Sequence, residues 1–118
     1  LNDYIEIPGY IKEKEIKKIY SESLIYVFPS LDEGFGIPLI ESMKSEVPII
    51  CSDIEVFKEI CKDSALYFKA GNHNDLYEKI NIFINDSDLR KKLVKLGKEN
   101  VERFNRNNFI KEFEKIYN

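Results

Sequence analysis

Short runs rich in β-branched and aromatic residues alternate with amphipathic runs of helical period at least four times along this chain, and that alternation admits few folds. Strands separated by helices come back in the same direction, which specifies an α/β fold: a Rossmann-like parallel sheet with helices on both faces. Tyr4 to Ile7 predicts the first strand, stopped by Pro8-Gly9, and Lys12 to Ser23 a helix with Ile16, Ile19 and Tyr20 on one face. Leu24 to Phe28 is nearly continuous in apolar residues, as expected of a central parallel strand covered on both faces, and Pro29 ends it. Pro38 can open a helix that runs to about Ser45, since proline at the first helical position gives up only an unpaired N–H.

Pro48 to Cys51 predicts a third strand, Val56 to Cys61 a short helix and Leu66 to Phe68 a fourth strand, followed by a turn at Gly71-Asn72. The rest reads as a helical C-terminal segment. Leu76, Ile80, Phe83 and Ile84 form one apolar stripe; Leu89, Leu93, Leu96 and Val101 form another, begun by an Asp86-Ser87-Asp88 cap; Phe109, Ile110, Phe113 and Ile116 form the last.

At 118 residues the chain predicts one domain, residues 1–118. Lysine and arginine number 18 against 21 acidic residues, a net charge of −3, with no basic stripe of the kind that tracks nucleic acid, so no nucleic-acid partner is expected. No apolar run approaches the roughly eighteen residues of a membrane span, and no signal pattern opens the chain. A cytoplasmic location is the expectation. The lysines of 12–18 and 91–98 read as solvated helix faces paired with nearby glutamates, and they leave room for peripheral contact with the inner face of a membrane. Cys51 and Cys61, ten apart and with only His73 as another soft ligand, match no zinc spacing; they are expected to be reduced and structural, with no metal site. The chain starts at Leu1 and its single methionine is Met43, so it is expected to be part of a longer protein.

Ligands of open α/β sheets sit beyond the carboxyl ends of the strands. The loop after Phe28 stands out there: Ser30-Leu31-Asp32-Glu33-Gly34-Phe35-Gly36-Ile37-Pro38-Leu39-Ile40-Glu41 is a Gly-rich turn feeding a helix, with a glutamate before the turn and another inside the helix. Gly34 and Gly36 let a backbone approach a ligand closely, a helix start favours anions, and two carboxylates can accept from hydroxyls. With a helix beginning near Ile37, Glu41 lies about 6 Å along its axis. A nucleotide sugar has that layout, an anionic diphosphate between two polyols. Each feature also has a plainer origin: Glu33 suits the positive end of a helix dipole, Glu41 a solvated helix face, and Gly-x-Gly an ordinary tight turn.

The Glu33-to-Glu41 spacing, filled by Gly-Phe-Gly-Ile-Pro-Leu-Ile, resembles the donor-site signature of retaining GT-B glycosyltransferases of the large bacterial group-1 family. Ile7-Pro-Gly-Tyr-Ile11, Val27-Phe-Pro-Ser30, Val47-Pro-Ile-Ile-Cys-Ser-Asp53, Phe57-Lys-Glu59, Ala65-Leu-Tyr-Phe68 and Asp88-Leu-Arg90 are similar to that family's segments in the same order, over essentially the whole chain. The resemblance implies the C-terminal, donor-binding half of a two-domain fold. A nucleotide-sugar donor would be substrate rather than cofactor, a preceding N-terminal domain would hold the acceptor glycan or lipid-linked sugar, and hexosyl transfer for polysaccharide biosynthesis would need no metal. It implies that Glu33 touches the donor hexose as the catalytic carboxylate, that the backbone of Gly34, Phe35, Gly36 and Ile37 lines the sugar and diphosphate, that Glu41 binds the ribose hydroxyls and that Tyr10-Ile11 sits against the base. The Arg and Lys that neutralise the leaving diphosphate would lie upstream of Leu1, so the piece alone is expected to be inactive.

Two positions depart from the pattern: Glu46 stands where the family usually has glycine, and Glu55 where it has proline or glycine. Two other readings remain open on the residues. One is a receiver-like module with Asp53 as phospho-acceptor, although Pro8-Gly9-Tyr10 replaces the acidic pair it needs. The other is a non-catalytic sugar-nucleotide-binding domain on the same scaffold.

Overall fold

The computed structural model describes residues 5–30 and 36–104. In chain order these are α1 (Glu13–Glu22), β1 (Tyr26–Phe28), α2 (Ile37–Lys44), β2 (Ile49–Ser52), α3 (Glu55–Cys61), a 3-10 turn (Lys62–Ser64), β3 (Leu66–Phe68), α4 (His73–Asn85), α5 (Ser87–Val101) and a last 3-10 turn (Glu102–Phe104). The strands pair in parallel in the order β1-β2-β3, with Tyr26 opposite Ile49 and Ile50 opposite Leu66. The parallel α/β expectation holds, and β3 coincides with the run read as Leu66 to Phe68, whereas the Leu24 to Phe28 run, expected at the centre, supplies β1 at the half-buried edge of the described sheet, and β2 takes the centre.

β2 is the centre of the core, and every one of its residues is buried. Because side chains alternate along a strand, Ile49 and Cys51 pack with Leu39, Met43, Phe57 and Ile60 of α2 and α3. Ile50 points the other way, toward Phe68, Phe83 and Leu93, so α4 and α5 cover the second face. Phe57 and Phe83 are fully buried on opposite faces, each contributing about 1.5–3 kcal/mol by area removed from water. Gly97 lets α5 come close to α2: a Cβ there would meet Met43 Cγ at 3.3 Å. No helix among the described residues is long and apolar enough to cross a membrane.

The strand expected over Tyr4 to Ile7 is corrected by the structure. Tyr4 lies outside the described residues, and residues 5–7 are irregular, with Ile5 54% and Ile7 89% exposed. A strand exists only where a neighbour takes up its backbone N–H and C=O groups, and none of the three described strands borders this segment. The stripe at Phe109 to Ile116 also lies outside the described residues.

The helix ends follow local chemistry. Asn72 caps α4 by accepting the Asp75 N–H at 3.0 Å, and Asp86 caps α5 by accepting the Leu89 N–H at 2.9 Å. α2 ends in a Schellman turn, with the Glu46 N–H on the Met43 carbonyl (3.2 Å) and the Val47 N–H on the Ser42 carbonyl (3.1 Å). That turn needs a left-handed residue, and Glu46 supplies it at φ 57°. Glu46, where the resemblance expects glycine, thus falls where a side chain is strained. Glu55, by contrast, is the first residue of α3, where proline is tolerated and an acidic side chain favours the helix dipole.

Candidate functional site

α2 begins where the sequence places it, at Ile37, with Pro38 in its first turn. Gly36 precedes it at φ 76°, and its carbonyl accepts from the Leu39 N–H at 2.9 Å. With Leu39 so engaged and Pro38 lacking an N–H, the Ile37 N–H is the early donor with no acceptor among the described residues. Gly36 itself is buried. A Cβ there would lie 2.8 Å from Ile60 Cδ1, so its glycine identity has a sufficient cause in packing and a left-handed backbone.

Glu41 sits one turn into α2, half-buried, and lines a cavity of about 250 Å3 between α2 and α1 with Ile16, Tyr20, Ile37 and Pro38. A second cavity of about 300 Å3 continues along α1, lined by Ile11, Ile16, Ile19, Tyr20 and Tyr26. Ile16 and Tyr20 belong to both. Of the expected site residues, the structure places Ile37 and Glu41 on the first cavity and Ile11 on the adjoining second one. Tyr10 stands apart from both and is 92% exposed. Glu33, Gly34 and Phe35 lie outside the described residues.

Two groove residues were missed as site candidates. Ile16 and Tyr20 read as a helix stripe facing a core, yet they face the Glu41 cavity; their only sequence signal is a shared face with Glu13. Burial pushes the Tyr20 phenol up from its ordinary range, and the neighbouring Glu41 carboxylate adds to the rise. The groove thus pairs an apolar wall with a carboxylate, a combination suited to a ligand with a flat apolar part and hydroxyls.

The other sequence candidates lie outside these cavities, Asp53 and His73 lining a separate one of about 650 Å3 beside the turn after β3. The Asp53 carboxylate accepts the Ala70 N–H at 2.9 Å, tying the end of β2 to the turn after β3. His73 is exposed at the first position of α4. Cys51 and Cys61 are free, fully buried thiols, and a hydrogen bond between them, together with burial, pushes the Cys51 thiol far up. No group of three or more metal-binding side chains occurs among the described residues.

Comparison with known proteins places this geometry in a wider set. Over 67 residues, 57% of its length, the chain is 46% identical to the O-antigen chain mannosyltransferase RfbU of Salmonella typhimurium, spanning 19% of that protein. Its fold matches sucrose-phosphate synthase from Thermosynechococcus elongatus with a TM-score of 0.81 at 27% identity, covering 98% of this chain and 30% of that one. It also matches the C-terminal domain of a group 1 glycosyl transferase (LpcC) from Francisella tularensis, with a TM-score of 0.71 at 30% identity over 80% of this chain and 50% of that one. The family model of glycosyl transferases group 1 matches residues 1–100, and the chain belongs to that family.

Proposed function

We propose that this chain is the donor-binding domain of a glycosyltransferase that takes a nucleotide-sugar and passes its hexosyl group to an acceptor glycan or lipid-linked sugar held by a second domain. The observation that carries the reading is the pair of cavities along α1 that share Ile16 and Tyr20, one with Ile37 and Glu41 on its wall and the other with Ile11. In this reading the base lies on the Ile11, Ile16 and Tyr20 wall, Glu41 accepts from the ribose diol, and the start of α2 meets the diphosphate through the Ile37 N–H and the helix dipole. Glu33, at the family's sequence spacing from Glu41, touches the hexose. The relation to an O-antigen mannosyltransferase supports a role in polysaccharide assembly.

Retention of anomeric configuration and independence from a metal extend the proposal. In this reading positive backbone ends and basic side chains stabilise the leaving diphosphate, while Asp86 of the Asp-x-Asp at 86–88 caps α5. A cytoplasmic location is proposed with them, since nucleotide-sugars are made there.

Titration of the intact protein with UDP-, GDP- and ADP-sugars tests the reading. Glu41→Ala is expected to weaken the nucleotide about ten- to a hundredfold, as loss of a charge-assisted bond worth about 1.5–3 kcal/mol requires. Unchanged affinity removes Glu41 from the site. Glu33→Gln is expected to lower kcat about ten- to a thousandfold while affinity for the sugar-free nucleotide moves less than about threefold, because a group on the hexose acts mainly in the transition state. Normal turnover with a lowered melting point would assign Glu33 to the helix dipole instead.

A further inference from the structure

The opposite end of the sheet, where the strands begin, carries a groove of about 770 Å3 that the donor chemistry does not use. Its floor includes Leu24, just before β1, and Pro48, just before β2. One wall is a face of α5 bearing Arg90, Lys91, Lys95 and Lys98; the other includes Ser23 and Ser45, the C-caps of α1 and α2. That second wall therefore presents the C-terminal ends of two helices, most of the last α2 carbonyls being taken up by its Schellman turn, together with Glu46, whose carboxylate faces Lys98.

The charge on α5 runs against the rest of the chain. The helix holds five basic residues and two acidic ones in a chain whose net charge is −3. Lys91, Lys95 and Lys98 follow one another at helical spacing, so like charges stack along one face, an arrangement that by itself destabilises a helix. The glutamate pairing expected from the sequence is largely absent: among the described residues Lys91 and Lys95 have no ion-pair partner, and Lys98 reaches only Glu46, at 3.8 Å. Arg90 is fixed in place by donating to the Phe83 and Ile84 carbonyls at the end of α4. A concave set of cations, of which Arg90 is held in place, facing two helix C-terminal ends suits an anion that also carries hydroxyl groups.

We propose that this groove binds a phosphate-bearing polyol, its phosphate oxygens accepting from Lys91, Lys95 and Arg90 and its hydroxyls donating to the helix ends at Ser23 and Ser45. Two sources supply that chemistry, a soluble sugar or glycerol phosphate and the headgroup of phosphatidylglycerol. Because the groove lies at the amino ends of the strands, its occupant does not compete with a nucleotide-sugar at their carboxyl ends.

The test compares the intact protein with a Lys91→Gln/Lys95→Gln variant. Each is titrated calorimetrically with glycerol 1-phosphate and glucose 6-phosphate, and sedimented with phosphatidylcholine vesicles made with and without phosphatidylglycerol. Binding of a free ester, weakened about tenfold or more in the variant, supports the site and a soluble ligand. Binding only to vesicles containing phosphatidylglycerol, lost in the variant, supports it with the headgroup as source. Both lysines are exposed and their repulsion is removed, so the variant's melting temperature is expected to stay level or rise, which separates lost binding from lost folding. Absence of binding to every probe, equal binding by the variant, or displacement by nucleotide-sugar would each overturn the proposal.

Discussion

Glu46→Gly is expected to stabilise this protein, and the terms can be worked from the α2 Schellman turn. An L side chain in the left-handed region costs about 1–2 kcal/mol, which glycine removes. Glycine's greater freedom in the unfolded chain returns about 0.5–1 kcal/mol of that gain. The Glu46–Lys98 pair spans 3.8 Å with side chains 56% and 69% exposed, so its loss costs at most a few tenths. Removing a negative charge just past a helix C-terminus offsets that loss. The net is about 0.5–1 kcal/mol, or a rise of roughly 2–6 °C in melting temperature for a domain of this size. Thermal and urea melts of wild type, Glu46→Gly and Glu46→Ala decide it, since alanine removes the charge and the pair but keeps the Cβ. An equal gain from alanine, or a loss with glycine, would refute the backbone argument.

The glycines at 36 and 9 make a second comparison: both have positive φ, but a Cβ at Gly36 meets Ile60 at 2.8 Å while one at Gly9 meets nothing within 4 Å. Gly36→Ala should cost about 2–4 kcal/mol and Gly9→Ala about 1, measured by denaturant unfolding. Asp75 supplies the pH dependence. Its carboxylate accepts the Lys69 N–H at 2.7 Å and the Lys79 ammonium at 2.9 Å, which hold its pKa below the ordinary range. Because the folded value is depressed, its contribution is complete above the unfolded pKa of about 4 and is lost as pH falls through the folded value. Asp75→Asn should melt lower than wild type by a constant margin between about pH 5 and 8, and the margin should close on further acidification; a margin unchanged at low pH would show that charge is not its cause.

Much of the fold was legible because its determinants are local. The Asp86 cap, the Pro38 helix start and the β3 run are fixed by residues within one turn of each other, and they stand where the sequence puts them. Tyr4 to Ile7 misled because alternation and a proline stop describe a segment fit to be a strand without saying that a neighbour borders it. The contact between Cys51 and Cys61 was illegible for a related reason, since only the packing of α3 against β2 brings them together. At the site, the place of Glu41 in α2 followed from counting residues, whereas its cavity depends on how α1 lies beside α2. Lys91 and Lys95 looked like ordinary surface because the facing wall comes from two distant helix ends.

The reach of α5 has a consequence for how the molecule comes apart. Leu89, Leu93 and Leu96 pack on one side of the sheet, while Val101 and Phe104, at and just beyond the helix end, pack on the other. Neither hydrophobic cluster has a boundary of its own, so neither can open as a separate foldon. Amide exchange in α2, β2 and α4 should then report a common opening free energy, with α1, which has no buried residue, exchanging by local fraying. The helix that seats Glu41 thereby owes its rigidity to one more than forty positions later in the chain, through the contact of Met43 with the bare backbone of Gly97.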